Sequence, residues 1–323
     1  MKKLILTLLA SAAWLANVNA LEYMAVPDWL KLPEGRPQLG NMHGDVAVSS
    51  KGEVYVSVMD PKAGVQVYAP DGKFLRNVPD APSDFHGFVI HKQADGEFLF
   101  GPRLGGQTIL KMTLDGKIVL TIPASSIPDE FKNKNKTGQT SVSLTAMDVA
   151  PNGDLYVTDG YASDYVHRFD REGKYLKSFG GRKEPYKFST LHKIAIDTRF
   201  EPARIIGCDR ANGRVVHMSL DGDFMGVVAR ELLLPAAVAI HGDYAAIGEL
   251  KGRVTILDKS GNVVTRLGAN TEPGVGGNQL KPEQWRPGVV VSPHGVAFNE
   301  NGDLFVSEYS LFGRVHRFNL SAP

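Results

Sequence analysis

The sequence predicts an all-β fold, a six-bladed β-propeller, on three observations. A unit of about 40 residues recurs six times. Each complete unit carries four short apolar strands separated by Gly, Asp and Asn turns. No segment after residue 20 shows sustained helical periodicity.

The elements follow in chain order. Residues 1–20, MKKLILTLLASAAWLANVNA, place Lys2 and Lys3 before an apolar run from Leu4 to about Ala16, then end on the small residues Val18 and Ala20. That is the layout of a cleavable export signal, and the run is shorter than the ~20 apolar residues a spanning helix needs. The expected mature protein starts near Leu21, is secreted or periplasmic, and forms one propeller domain over 21–323. In blade order the first two strands read GDVAVSSKGEVYVSV from Gly44, HGFVIHKQADGEFLFG from His86 and TAMDVAPNGDLYVTDG from Thr145. They continue as HKIAIDTRFEPARIIGCD from His192, AAVAIHGDYAAIGEL from Ala236 and HGVAFNENGDLFVSEY from His294. Third and fourth strands form hairpins on Asp-Gly or similar turns, as in VQVYAPDGKFLRNV and ILKMTLDGKIVLTI. The sixth copy stops at VHRFNLSAP, one strand short, so the N-terminal segment EYMAVPDWLKL is expected to supply that strand and close the ring.

Lys plus Arg total 36 against 35 for Asp plus Glu, which gives no electrostatic case for nucleic acid or an anionic membrane. The expected partner is a small molecule or peptide, and the expected state a monomer. Cys208 is the one cysteine, so no internal disulfide forms and a small buried residue is its expected role.

Propeller strands alternate in direction, so the turns between strands 1–2 and 3–4 share one face. The 2–3 loops and blade crossings share the other. The first set is short, and the second holds the long insertions at Pro123 to Ser143, Gly181 to Leu191 and Gly268 to Pro293. The second is therefore the working face. At the start of strand 1 on that face the blades carry Gly44, His86, Thr145, His192, Ala236 and His294. Histidine occupies every second slot, and alternate blades lie about 120° apart, so the three imidazoles should converge on the axis. Three histidines with an open position make a catalytic zinc or similar transition-metal site. His43, one residue ahead of its slot, and His91 and His241, at opposite-face turns, are left outside it. The third-strand histidines His167, His217 and His316 follow no three-fold pattern and read as packing residues. Strand 2 exits on the working face add Met59, Arg103, Asp159-Gly160-Tyr161, Asp209-Arg210, Glu249-Leu250 and Glu308-Tyr309. Arginines and a tyrosine around a metal suit an anionic, oxygen-rich substrate.

The repeat DVAPNGDLYVTDGYASDYVHRFDREGKYLKSFG resembles an NHL-type repeat. With DGY at Asp159 to Tyr161, LHKIAI, DRANGR at Asp209 to Arg214, and PHG at Pro293 to Gly295, the chain is similar to the peptidyl-α-hydroxyglycine α-amidating lyase family. The resemblance implies a six-bladed propeller that splits a carbinolamide into an amide and glyoxylate. It places the zinc ligands on His86, His192 and His294, the catalytic tyrosine on Tyr161 and one active-site arginine on Arg210. The family's other arginine falls on Met59, which leaves Arg103 of the neighbouring blade as the candidate replacement. Its calcium-binding aspartate falls on Gly295 and a disulfide cysteine on Ala162, so the resemblance carries neither calcium nor disulfides here. The resulting expectation is a zinc-dependent C–N lyase. A non-catalytic binding propeller and a lactonase-like hydrolase are the alternatives.

Overall fold

Six four-stranded antiparallel sheets account for almost all regular structure in a computed structural model that describes residues 21–321. The export-signal reading of 1–20 lies outside those residues. Blade 1 runs Val46–Val48, Val54–Ser57, Val65–Tyr68 and Phe74–Asn77, and blade 2 runs Val89–Gln93, Gly96–Pro102, Thr108–Thr113 and Ile118–Pro123. Blade 3 runs Ala146–Val149, Leu155–Thr158, Tyr165–Phe169 and Tyr175–Gly180; blade 4 runs Leu191–Asp197, Arg204–Asp209, Arg214–Ser219 and Phe224–Ala229. Blade 5 runs Pro235–His241, Tyr244–Glu249, Arg253–Leu257 and Val263–Leu267. Blade 6 takes Pro293–Phe298, Leu304–Glu308 and Arg314–Leu320 from the C-terminus, and its outer strand is Tyr23–Ala25, paired Tyr23 to Leu320 and Ala25 to Phe318. Among the described residues the helices are single 3₁₀ turns, and none is long and apolar enough to cross a membrane.

The alternation of the strands buries both faces of each sheet against neighbours. Phe98, Phe100 and Ile109 of blade 2 pack on Met147, Val149 and Leu155 of blade 3. Ala150 and Val166 of blade 3 pack on Ile194 and Ile205 of blade 4. Trp29 of the N-terminal segment fills the seam between blades 6 and 1, beside Phe305 and Tyr68. The glycines of the strand 3–4 turns have a packing reason beyond their hairpin geometry. Gly116 and Gly261 have φ of 104° and 85°, and a Cβ on either would stand 2.2 Å from a backbone carbonyl of the preceding blade, Pro79 or Val228. Glycine alone satisfies both the left-handed backbone and the close approach.

Candidate metal centre

Irregular register at the start of strand 1 presents the slot residues. In blade 4 Leu191 pairs with Asp209 and Lys193 with Cys208, leaving His192 as an extra residue; in blade 6 Pro293 pairs with Glu308 and Gly295 with Ser307, leaving His294. Ala236 is skipped in the same way in blade 5. A β-bulge bends the strand and re-aims one side chain, here toward the axis.

Buried acids at the strand 2 exits hold the crossings that lead into those slots. Asp209 accepts the Ser189 N–H at 2.8 Å and the Arg214 Nε–H at 2.6 Å. Glu249 accepts the Leu233 N–H and the Arg253 Nε–H, and Glu308 accepts the Val291 and Ser292 N–H groups, both at 3.1 Å. Asp159 accepts the Ser143 N–H. The residues just after these acids, Tyr161, Arg210, Leu250 and Tyr309, line a cavity of about 430 Å³ over the axis, together with His43, Thr190, Ala211, Leu234 and His294. A larger hollow of about 540 Å³, at the strand 1–2 turns of blades 2 and 3, contains none of this cluster.

Each slot histidine is oriented by the blade that follows it. His86 Nδ1 lies 2.7 Å from the Thr145 carbonyl, His192 Nδ1 2.6 Å from that of Ala236, and His294 Nδ1 3.0 Å from that of Gly44. The acceptors are the slot residues of the three blades that lack histidine. A carbonyl can only accept, so Nδ1 carries the proton and Nε2 keeps its lone pair. The ring centroids form a near-equilateral triangle, 5.0 Å for His86–His192, 4.7 Å for His86–His294 and 4.8 Å for His192–His294. His294 Nε2 is buried and has no hydrogen-bond partner. Burial pushes His86 down to about 3, with the neighbouring His43 adding to the shift, and pushes His192 and His294 well below 6.5. Neutral imidazoles with free Nε2 lone pairs, one of them orphaned, fit a divalent transition metal such as zinc. The nitrogens that lie within 4.8 Å of one another are those of His86, His294 and His43, not His192.

The phenol of Tyr161 sits over this triangle, 3.1 Å from His86 Nε2 and 3.0 Å from His192 Nε2. Arg210 donates to the same oxygen at 3.3 Å, with its guanidinium carbon 5.1 Å from the ring centroid. Burial raises the Tyr161 pKa, and the Arg210 charge opposes that rise. Arg103 stands apart: its Nε binds Asp84 at 2.8 Å, and it does not line the cavity. Met59, half exposed, contacts Asn41.

His43 belongs to the cluster although the alternation rule leaves it out. Its Nε2 lies 3.2 Å from the Tyr161 hydroxyl, and its ring is 4.7 Å from that of His86 and 4.9 Å from that of His294. His43, His86 and His294 each offer a nitrogen within 4.8 Å of the others. The omission has a physical cause. Blade 1 is entered from the N-terminal segment, so the residue before Gly44 arrives along the mouth of the cavity. The dipeptide His-Gly at His43, His86 and His294 is no clean signal, because His241 outside the cluster shares it and His192 inside it does not. His91 and His241 stay outside, and the third-strand histidines are tied locally, His167 to Ser178, His217 to Asp197 and His316 to Glu308. Cys208 is fully buried and its thiol is pushed up by burial.

The layer next to the histidines holds an ion pair across the axis. Lys193, after His192, meets Asp45, after Gly44, and both are buried. Gly295, after His294, faces the same carboxylate: a Cβ there would stand 2.2 Å from Asp45 Oδ1 and 2.5 Å from Ser307 Oγ. Burial lowers the Lys193 amine to about 7, and the Asp45 carboxylate is its partner in this layer.

No family model matches the chain. It is 25% identical over 252 residues to peptidyl-alpha-hydroxyglycine alpha-amidating lyase 1 of Drosophila melanogaster, a stretch that is 68% of this chain and 40% of that protein. The chain thus spans about two-fifths of the curated relative. Among solved structures it is similar to a streptogramin B lyase, with a TM-score of 0.58 and 13% identity over 93% of this chain and 97% of that one. A catalytically inactive virginiamycin B lyase from Staphylococcus aureus with quinupristin gives 0.57 and 15%, covering 93% and 99%. A gluconolactonase from Xanthomonas campestris gives 0.61 and 13%, covering 88% and 89%. These likenesses show the propeller fold and a distant relation to a lyase.

Proposed function

We propose that the protein is an exported, metal-dependent lyase of the α-hydroxyglycine amidating type, acting on a small molecule or peptide whose hydroxyl-bearing carbon lies between an amide nitrogen and a carboxylate. The observation that carries this reading is the pseudo-three-fold set of His86, His192 and His294, each fixed through Nδ1 and facing Tyr161 and Arg210. His86, His192 and His294 would hold zinc or another divalent transition metal, which when bound polarises a substrate oxygen and lowers the pKa of a hydroxyl.

The chain's own groups supply the rest. Arg210 reaches Tyr161 through one nitrogen, and its fork can also accept a carboxylate in two parallel hydrogen bonds. That contact would place the hydroxyl-bearing carbon under the Tyr161 oxygen, which, once ionised beside the Arg210 charge and the bound metal, would accept the hydroxyl proton. As the C–N bond breaks, its electron pair goes to the amide nitrogen and the proton follows. The products are the amide and a glyoxylate-type aldehyde acid. Leu234 and Leu250 give the cavity an apolar side for the remainder of the substrate.

The test is metal analysis of the purified protein, then glyoxylate release from an α-hydroxyglycine compound. About one equivalent of transition metal, lost in His192→Ala together with activity, is the expected result. A metal-free protein, or a His192→Ala variant with full activity, overturns the proposal; metal without glyoxylate release rejects the substrate class.

A further inference from the structure

Resting on the metal centre proposed above, we infer that His43 is a fourth nitrogen donor to the metal, supplied by the N-terminal segment outside the alternating triad. Three observations converge. The first is reach: a His43 nitrogen lies within 4.8 Å of nitrogens of both His86 and His294, and the His43 ring, at 4.7 and 4.9 Å from theirs, falls within the 4.7–5.0 Å spacing of the triad rings. A metal drawn into such a set would be held by imidazole nitrogens, the usual donors of a zinc centre.

The second is anchoring. The backbone on either side of His43 is clamped: Met42 and Ser310 exchange two N–H···O bonds, at 2.8 and 3.0 Å, and Asn41 accepts from Met59 at 2.9 Å. The ring also packs on Tyr309 at 4.4 Å between centroids. Its orientation is therefore set by blades 1 and 6 before a metal arrives, which lowers the entropic cost of binding.

The third is an unused lone pair. His294 Nε2, buried and without a partner as is His167 Nε2 far from the axis, is one of the set that His43 approaches. Tyr161 Oη already contacts His86, His192 and His43, so hydrogen bonding to the phenol leaves His294 unserved. A cation shared between His43 and His294 would give His294 Nε2 its partner. Four imidazoles would also hold the metal more firmly than three, and a substrate oxygen would enter as a fifth ligand or in place of His43.

Cobalt(II) loading of His43→Cys gives a readout specific to coordination. Cys208 is buried and is present in the parent as a built-in control. Expected is a new thiolate-to-cobalt charge-transfer band in the near ultraviolet, absent from the parent. His43→Ala should weaken cobalt and zinc binding at least ~10-fold and alter the visible d–d bands. If the parent binds cobalt while His43→Cys shows no charge-transfer band and His43→Ala keeps the parent affinity and spectrum, His43 is only a hydrogen-bond partner of Tyr161 and the inference fails. If the parent itself binds no transition metal, the proposed function fails with it. Loss in His192→Ala but not in His43→Ala separates the two.

Discussion

At the level of single residues, the site divides into groups that hold and groups that react. Tyr161 touches both, since its oxygen contacts two slot histidines and Arg210. Tyr161→Phe removes the proposed proton acceptor without removing a slot histidine. The expected outcome is a kcat about 10²–10⁴-fold lower, with metal content preserved, read by steady-state kinetics and metal analysis on one sample. Loss of metal in that variant would instead make the phenol a ligand. The triad was legible in the sequence because alternation in a six-fold ring is a symmetry property, independent of side-chain detail. Arg103 illustrates the limit. Its place at a strand exit is readable, but Asp84 captures its guanidinium, and a salt bridge between distant positions leaves no trace in a repeat pattern. His43 illustrates the converse, a group brought in by a segment outside the repeat.

The elements matter through their irregularities. A regular ladder would alternate side chains between the two faces of a blade, and the slot residue would compete with its neighbours for the inter-blade core. The bulges at His192 and His294 remove that competition, and the acids at strand 2 exits keep the bulges in place. The repeat period, the strand boundaries and the short-turn face were all readable from Gly, Asp and Asn spacing. The bulges were not, because one extra residue in a strand changes no residue type. Gly295 is the sharpest case of such a constraint. A methyl group there meets Asp45 at 2.2 Å and Ser307 at 2.5 Å, and Asp45 is already engaged with Lys193. Gly295→Ala must shift the Asp45–Lys193 pair beside His294, an overpacking that costs about 1–3 kcal/mol. The expected result is a lower urea midpoint, together with weaker metal binding because His294 moves with the strand. A variant with parent stability and affinity would mean that the axial layer yields more easily than its packing indicates.

On the scale of the whole molecule, the axis concentrates neutral histidines in a fold whose stability must then depend on pH. Burial lowers His86 to about 3, His43 to about 4 and the third-strand His167 to about 3, while His192 and His294 fall well below 6.5. The unfolded chain takes up protons on these side chains as the pH drops through about 6.5, and the folded protein does not. Their contribution is thus present above that value and is lost as the pH falls toward 4 and 3. Asp148 and Asp159, raised by burial to about 6, act in the opposite sense, since the folded state holds their protons more tightly. His91, His316 and Lys193 are lowered by burial as well, and together these groups outweigh the two acids, which leaves the first effect dominant. The urea midpoint of the metal-free protein should therefore fall gently from pH 8 to 7, where burial has already lowered Lys193 to about 7, and more steeply below about 6.5 as the histidines join. Replacing His86 and His294 together by Gln should reduce that slope, because each removes a proton that only the unfolded chain accepts. Bound metal adds to the dependence, since protons compete with it for Nε2, so the loaded protein should start from a higher midpoint and lose more of it in the same window. A midpoint independent of pH between 7 and 5 in the metal-free protein would mean that the axial histidines are hydrated and charged, and that the dry, neutral centre described by their burial does not persist in solution.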